Sequence, residues 1–409
     1  MMLTTVANLG LGFGFWILAA HTVSIAQVGL AGALVSAISL ANTLGSAGTG
    51  NALINRLATS TPGLEWSRIL NAGLLCATTL STVIGVATVI LLPFASSDFH
   101  VLREPLVIAI FLVGVVTMSL TDTLDKSYIA QRASTKMLTR NIVVGALRVG
   151  FLLPAIAIAG TGATVFAWIT GMVVSVPVGF ALVRRLGRGY RVRVPGTAGA
   201  ARKLGSTIAG NHLVSIGNIS PQYILPLIVA VVLSTKENGV FYSTWRIAGG
   251  FFIVSVAVST SLFAEISHDP QGRGHGVRRA GKVIAALLVP AIIGTILLGK
   301  PVLGVLGSGY EAGYGLLVML VVASIPDAVT NVYVSILRAD RRFGIAALLT
   351  FGMAAITVAL TVILLPPLGV LGAGVAWCAG QAAGCLFVAW DVLRARRHSV
   401  VIAQGSIVG

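Results

Sequence analysis

Three charged side chains sit where a chain of this composition should not carry them. Arg148 and Arg246 each lie about seven residues inside a long apolar run, and Asp327 lies near the middle of another. Placing an Arg or Asp at the centre of a membrane-spanning helix costs about 2.5–3.5 kcal/mol on insertion scales, so each needs a partner or water. A guanidinium offers planar, multidentate donors suited to phosphate or carboxylate oxygens. An aspartate in the same setting can hold an arginine or take a cation. Simpler readings stand beside these: Arg148 snorkels to cytoplasmic headgroups, and Arg246 forms a structural ion pair with Asp327. Amides join the pattern. Asn211, Ser215, Asn218 and Gln222 are spaced 4, 3 and 4 and share one helix face, as do Ser324, Asp327, Asn331 and Ser335, spaced 3, 4 and 4. Ser39, Thr43, Ser46 and Gly50 repeat the pattern with weaker groups. Hydroxyls alone read as interhelical hydrogen bonding. Amides and a carboxylate need more solvation and read as the lining of a cavity.

The elements that position them are apolar helices. The chain has 409 residues, of which 56% are hydrophobic and 10% charged, against about 25% charged in soluble domains. Runs of the length a bilayer requires predict helices at about 2–20, 29–53, 69–93, 105–124, 141–159, 163–183, 207–233, 239–263, 283–299, 313–337, 344–365 and 369–393. The first run reads as a retained helix rather than a signal peptide, because no small-residue cleavage site follows it. Of the 28 Lys and Arg residues, 23 fall in alternate connections, three in the others, and Arg148 and Arg246 inside spans. Positive connections stay cytoplasmic, which places both termini in the cytoplasm and explains the net charge of +16 without nucleic acid.

The longest basic connection, 184–206, divides six spans from six. This gives an N-lobe at 1–183, a C-lobe at 207–398 and a cytoplasmic tail at 399–409. Gly160, Ala167, Trp168 and Gly171 recur 209 residues later as Gly369, Ala376, Trp377 and Gly380, and Asp122 and Tyr128 match Asp327 and Tyr333 at an offset of 205. An even number of spans per half makes the repeat parallel, an arrangement common in transporters with a site between repeats. The fold class is therefore all-α: a polytopic membrane protein with about twelve helices in two parallel six-helix lobes. Cys76, Cys378 and Cys385 lie inside apolar runs and suggest neither disulfides nor zinc. No connection pairs a nucleophile with a base and no nucleotide-binding motif appears, so the expectation is a non-enzyme without cofactor or metal.

Phe15-Trp16-Ile17-Leu18-Ala19-Ala20, Val28-Gly29 and Ala52-Leu53-Ile54-Asn55-Arg56-Leu57 resemble the first two helices of Wzx-type polysaccharide flippases, within the multidrug/oligosaccharidyl-lipid/polysaccharide exporter superfamily. Phe241-Tyr242-Ser243-Thr244-Trp245-Arg246-Ile247-Ala248, ending in Leu262 to Ser267, resembles their eighth helix. Pro326-Asp327, through Tyr333 to Leu337-Arg338, resembles their tenth. Many relatives carry a basic residue after the Ala-Ala of helix one, where this chain has His21, and the first helix is short. The resemblance implies a V-shaped bundle around a central cavity. It also implies alternating access that turns an undecaprenyl-pyrophosphate-linked oligosaccharide across the bacterial cytoplasmic membrane, for surface or exopolysaccharide assembly. On that reading Arg148 and Arg246 take the pyrophosphate, Asn211, Asn218, Gln222 and Asn331 take sugar hydroxyls, and Asp327 serves coupling or ion pairing. The partners are the lipid-linked glycan, membrane lipids, a polysaccharide polymerase and glycosyltransferases. The alternatives are a cation-coupled multidrug exporter of the same superfamily and, less in keeping with the short external connections, a membrane glycan polymerase or ligase.

Overall fold

The computed structural model describes residues 2–46, 49–159, 162–192, 195–205, 209–268 and 271–405. The side chains of 2–9, 49, 51, 158–159, 202–205, 209–213, 267–268 and 395–405 lie outside that description. Every regular element among the described residues is helical. In chain order these are α1 (Met2–Thr22), α2 (Ile25–Gly45), α3 (Thr49–Thr59), α4 (Leu64–Ala95), α5 (Pro105–Ala130), α6 (Ser134–Ala159), α7 (Ala163–Arg184), α8 (Thr197–Gly205), α9 (Ala209–Val232), α10 (Thr235–His268), α11 (Arg273–Gly304), α12 (Tyr314–Ala339), α13 (Phe343–Leu368) and α14 (Val370–Gly405). Eleven helices among the described residues are long and apolar enough to cross a membrane. With α1, that agrees with about twelve spans in a multi-pass membrane protein.

Local sequence sets the ends. Ser24 caps α2 in a reciprocal capping box with Gln27. Pro105 occupies the first turn of α5, where no backbone donor is lost. Gly369, at φ +57°, closes α13 directly after Pro366 and Pro367. Within spans, hydroxyls such as Thr117, Thr170 and Thr361 bond the carbonyl four residues back, which hides them from lipid.

The residues pack into two compact units, Met1–Arg246 with Pro301–Gly313, and Ile247–Lys300 with Tyr314–Gly409. This division follows packing and falls at Arg246; the division at 184–206 counts repeats, and the lobes built on it stay a proposal. The repeat itself is written in the helix bounds. Leu64–Ala95 recurs as Arg273–Gly304, Pro105–Ala130 as Tyr314–Ala339, and Ser134–Ala159 as Phe343–Leu368, each bound shifted by 209. Two turns pin the register independently of helix ends. Arg132 (φ 52°) and Arg341 (φ 58°) are the non-glycine residues with positive φ among those described, and they are 209 apart. The Ala133 N–H bonds the Tyr128 carbonyl at 2.8 Å, and the Arg342 N–H bonds the Leu337 carbonyl at 2.8 Å. The offset of 205 for Asp122 and Tyr128 is thereby corrected. Asp122 corresponds to Asn331, and Asp327 to Met118, so the apparent match slipped by about one helical turn.

The span predicted at 29–53 is the other correction. α2 and α3 together correspond to the single unbroken α10, whose end at His268 is 209 residues beyond Thr59. α2 closes at Gly45, a residue of poor helix propensity, with the Ser46 N–H on the Asn42 carbonyl.

Close helix approach holds unit 1 together. A Cβ at Gly29 would overlap the Thr235 carbonyl and lie 2.5 Å from the Gly239 nitrogen, while Asn238 Nδ2 donates to the Gly29 carbonyl at 2.7 Å. Gly380 and Gly384, four residues apart, seat Thr357 and Met353, whereas Gly10 and Gly14, at the same spacing, meet nothing within 4 Å. Gly29→Ala is expected to cost about 1–3 kcal/mol by overpacking, while Gly14→Ala gains up to about 1 kcal/mol of helix propensity. Thermal unfolding of the two purified variants, moving in opposite directions from the parent chain, checks this.

Candidate functional site

Arg148 lies on α6 where that helix crosses α7. Its Nε donates to the Trp168 carbonyl at 3.3 Å, and its guanidinium sits 4.3 Å from the centroid of the Trp168 ring. Its Nη2 is buried without a hydrogen-bond partner. The side chain is therefore folded onto α7 rather than extended to a headgroup, which overturns the snorkelling reading. Gly171 makes this possible: a Cβ there would lie 2.6 Å from Arg148 Cγ and 2.9 Å from the Val144 carbonyl. The same seat recurs 209 residues on, where Gly380 faces the Met353 carbonyl and Thr357 in place of Val144 and Arg148. Thr357 shows what the packing alone requires. The guanidinium is an addition to the frame.

Arg246 lies on α10 one turn beyond Tyr242. The Tyr242 ring lies against Gly32 of α2 and meets the Trp16 ring edge-on, at 4.8 Å between centroids. One turn away on each helix, Arg246 Nη2 would lie 3.3 Å from a Cβ at Gly12. The guanidinium is exposed although its helix is apolar. Arg246 lies within electrostatic reach of Arg148, Tyr223 and Tyr242, Tyr242 also of Arg148 and Tyr223, and Asp122 reaches Tyr223. Two repelling cations held together are a disposition that an anion relieves.

In unit 2, Asp327 is 6% exposed, with one carboxylate oxygen lacking a good hydrogen bond. Gln381 of α14 reaches its other oxygen at 3.5 Å, and Ser255 and Asn331 flank it. Thr330 donates to Gln381 Oε1 at 3.3 Å. The repeat again shows what the frame needs. Thr121 at the position of Thr330 contacts Met172, which stands where Gln381 stands, and Met118 replaces Asp327. One half thus carries cationic donors and the other a carboxylate with amides, on a shared helical seat.

The family of polysaccharide biosynthesis proteins matches residues 18–314 of this chain. The chain belongs to that family. Among curated proteins it is 26% identical over 202 residues to the probable flippase AglR of Haloferax volcanii, covering 46% of this chain and 42% of that protein. It is 22% identical over 289 residues to the probable low-salt glycan biosynthesis flippase Agl15 of the same organism, covering 69% and 58%. The matched region thus spans roughly half the length of these relatives. Among solved structures, the lipid II flippase MurJ in an inward closed conformation superposes with a TM-score of 0.73 at 14% identity, covering 96% of this chain and 87% of MurJ. An inward-facing multidrug resistance MATE transporter of the MOP superfamily superposes with a TM-score of 0.69 at 14% identity, covering 95% and 94%. These likenesses establish the fold.

Within this family member, unit 1 holds Arg148 and Arg246 together with the helix that bears Asn218 and Gln222, both half-buried. The Asn211 side chain lies outside the described residues. Asn331 belongs to unit 2, where its Nδ2 bonds the Asp327 carbonyl at 2.9 Å. Tyr223 escaped the sequence reading, and Trp16, Trp168 and Tyr242 entered it only through motif and repeat matches, because aromatics in apolar runs carry no periodic signal. Arg140, counted among the basic connections, is 4% exposed and bonds Asp125 at 2.6 Å and Asn141 at 2.7 Å. Removing the Trp168 ring should free Arg148 from a contact of about 0.5–2 kcal/mol. Trp168→Leu is therefore expected to raise labelling of Arg148 by an arginine-selective dicarbonyl, read by peptide mass spectrometry, with labelling of Arg246 unchanged.

Proposed function

We propose that this chain is an alternating-access flippase that carries an undecaprenyl-pyrophosphate-linked oligosaccharide across the cytoplasmic membrane for surface or exopolysaccharide assembly. The observation that carries this reading is the pair of guanidiniums held within electrostatic reach in unit 1, one with a buried unpartnered Nη2. A pyrophosphate is a compact dianion with many acceptors, and two forked cations match it better than ammonium groups would. Asn218 and Gln222 on α9, with Asn211, suit sugar hydroxyls. The relatives named as flippases support the transport class. No chemical step is assigned to the chain. Both termini are cytoplasmic on the distribution of basic connections, six-helix lobes at 1–183 and 207–398 form the repeat, and glycosyltransferases and a polymerase supply and consume the glycan.

Asp327 takes the coupling role on this reading. The same cluster favours the second reading, a cation-coupled multidrug exporter, because Ser255, Asn331 and Gln381 surround a buried carboxylate with neutral oxygens and amides.

Loss of one charge-assisted contact costs about 1.5–3 kcal/mol, so Arg148→Ala and Arg246→Ala are each expected to lower export by roughly ten- to a hundredfold at unchanged membrane abundance. Arg246→Lys should recover only part, since the point charge lacks the fork. Surface glycan labelling in cells that depend on this chain checks it. Full export by both alanine variants, with binding of cationic drugs to the purified chain, would move the assignment to the exporter.

Asp327→Asn tests coupling separately. Transport by the purified, reconstituted chain should lose its dependence on an imposed sodium or proton gradient, while binding of the lipid-linked glycan stays within about twofold.

A further inference from the structure

The 184–206 connection, read from sequence as a basic linker, is a strap laid along one end of α4. The Gly63 N–H bonds the Arg188 carbonyl at 2.8 Å, and the Arg191 N–H bonds Ser67 Oγ at 3.0 Å. Asn71 Nδ2 donates to the Arg191 and Val192 carbonyls, each at 2.9 Å, and the Tyr190 hydroxyl donates to Asn71 Oδ1 at 2.8 Å. Arg68 Nε donates to the Pro195 carbonyl at 2.9 Å, and the Cys76 thiol lies 3.3 Å from the Ala201 carbonyl. A basic connection whose task is only to set topology needs none of these bonds.

Between the strap, α3 and α4 lies a cavity of about 550 Å3, into which Arg56 and Arg68 bring guanidiniums and Thr59 and Ser60 bring hydroxyls. Glu65 is the acidic group on the wall, and its carboxylate is engaged by the Thr61 hydroxyl and by the Thr61 N–H at 3.1 Å. The wall therefore carries a net charge of about +1, with donors converging from two helices. The helical frame does not ask for this. The positions 209 residues beyond Arg56 and Arg68 hold Glu265 and Val277. Leu64, which precedes the lining residue Glu65, is 48% exposed, and Ile69 is on the wall itself. A wall with two cations and aliphatic side chains matches a molecule that is anionic at one end and apolar at the other.

We propose that this cavity is a binding site for the phosphate-bearing headgroup of an anionic phospholipid, separate from the Arg148 and Arg246 site. The phosphate is received by Arg56 and Arg68. The acyl chains leave past Leu64 into the bilayer. Because Arg68 also holds the strap at Pro195, headgroup binding fastens the connection that leads from α7 to α9.

The test uses the purified full chain, titrated with phosphatidylglycerol, with phosphatidylcholine and with inorganic phosphate, and read by native mass spectrometry and thermal shift. The parent chain is expected to retain one phosphatidylglycerol in preference to phosphatidylcholine. Arg56→Gln, which leaves the Arg68 to Pro195 bond in place, should weaken this roughly tenfold, while Arg278→Gln/Arg279→Gln, exposed cations on α11, should leave it unchanged. Equal retention by the parent chain and Arg56→Gln, or equal loss in the α11 variant, overturns the site. Stabilisation by inorganic phosphate that depends on Arg56, with none from phosphatidylglycerol, overturns the lipid as its occupant.

Discussion

Lipid supplies no hydrogen-bond partner, so every polar group within the bilayer must find one inside the protein or face a cavity. That single constraint accounts for most of what is seen in this chain. It makes every regular element among the described residues helical, and it turns hydroxyls such as Thr117 and Thr361 back onto the carbonyl four residues earlier. It also makes the exceptions informative. Arg148, with a buried nitrogen left unpaired, and Asp327, with a buried oxygen in the same state, are groups the fold has not satisfied by itself.

The repeat turns that observation into a comparison within one molecule. Because α4, α5 and α6 recur as α11, α12 and α13 without insertion, each polar residue in one half has a partner position that reports what packing alone requires. Thr357 stands for Arg148, Met118 for Asp327, and Met172 for Gln381. Small polar or soft apolar side chains fill these seats adequately. The cationic and acidic replacements therefore carry a desolvation cost that the scaffold does not impose, and a solute or a coupling ion is a physical reason to bear it.

Tight helix contact is the means by which these groups are aimed. Gly171 lets α7 approach closely enough for Arg148 to lie on Trp168, and Gly32 lets Tyr242 sink against α2, so that Arg246 emerges one turn later beside Gly12. In each case the arginine is positioned by a side chain that is absent. Glycines are common in apolar helices, so their presence alone says little, and the contrast between Gly380 and Gly14 shows that only the neighbour decides.

Hydropathy by itself determined the class of the molecule, about how many long apolar helices it has, and which ionisable groups lie inside them, because the bilayer acts on each segment independently of its neighbours. Arg148, Arg246 and Asp327 were legible for the same reason. Tertiary structure decided the rest. The strap on α4 and the grouping of Arg246 with Arg148, Tyr223 and Tyr242 depend on contacts between residues far apart in sequence. So does the true register of the repeat, which the Asp122 and Tyr128 match misplaced by about one turn. In helices built from few residue types, a shift of four residues returns side chains to nearly the same face, and only the turns that end those helices distinguish one register from the next.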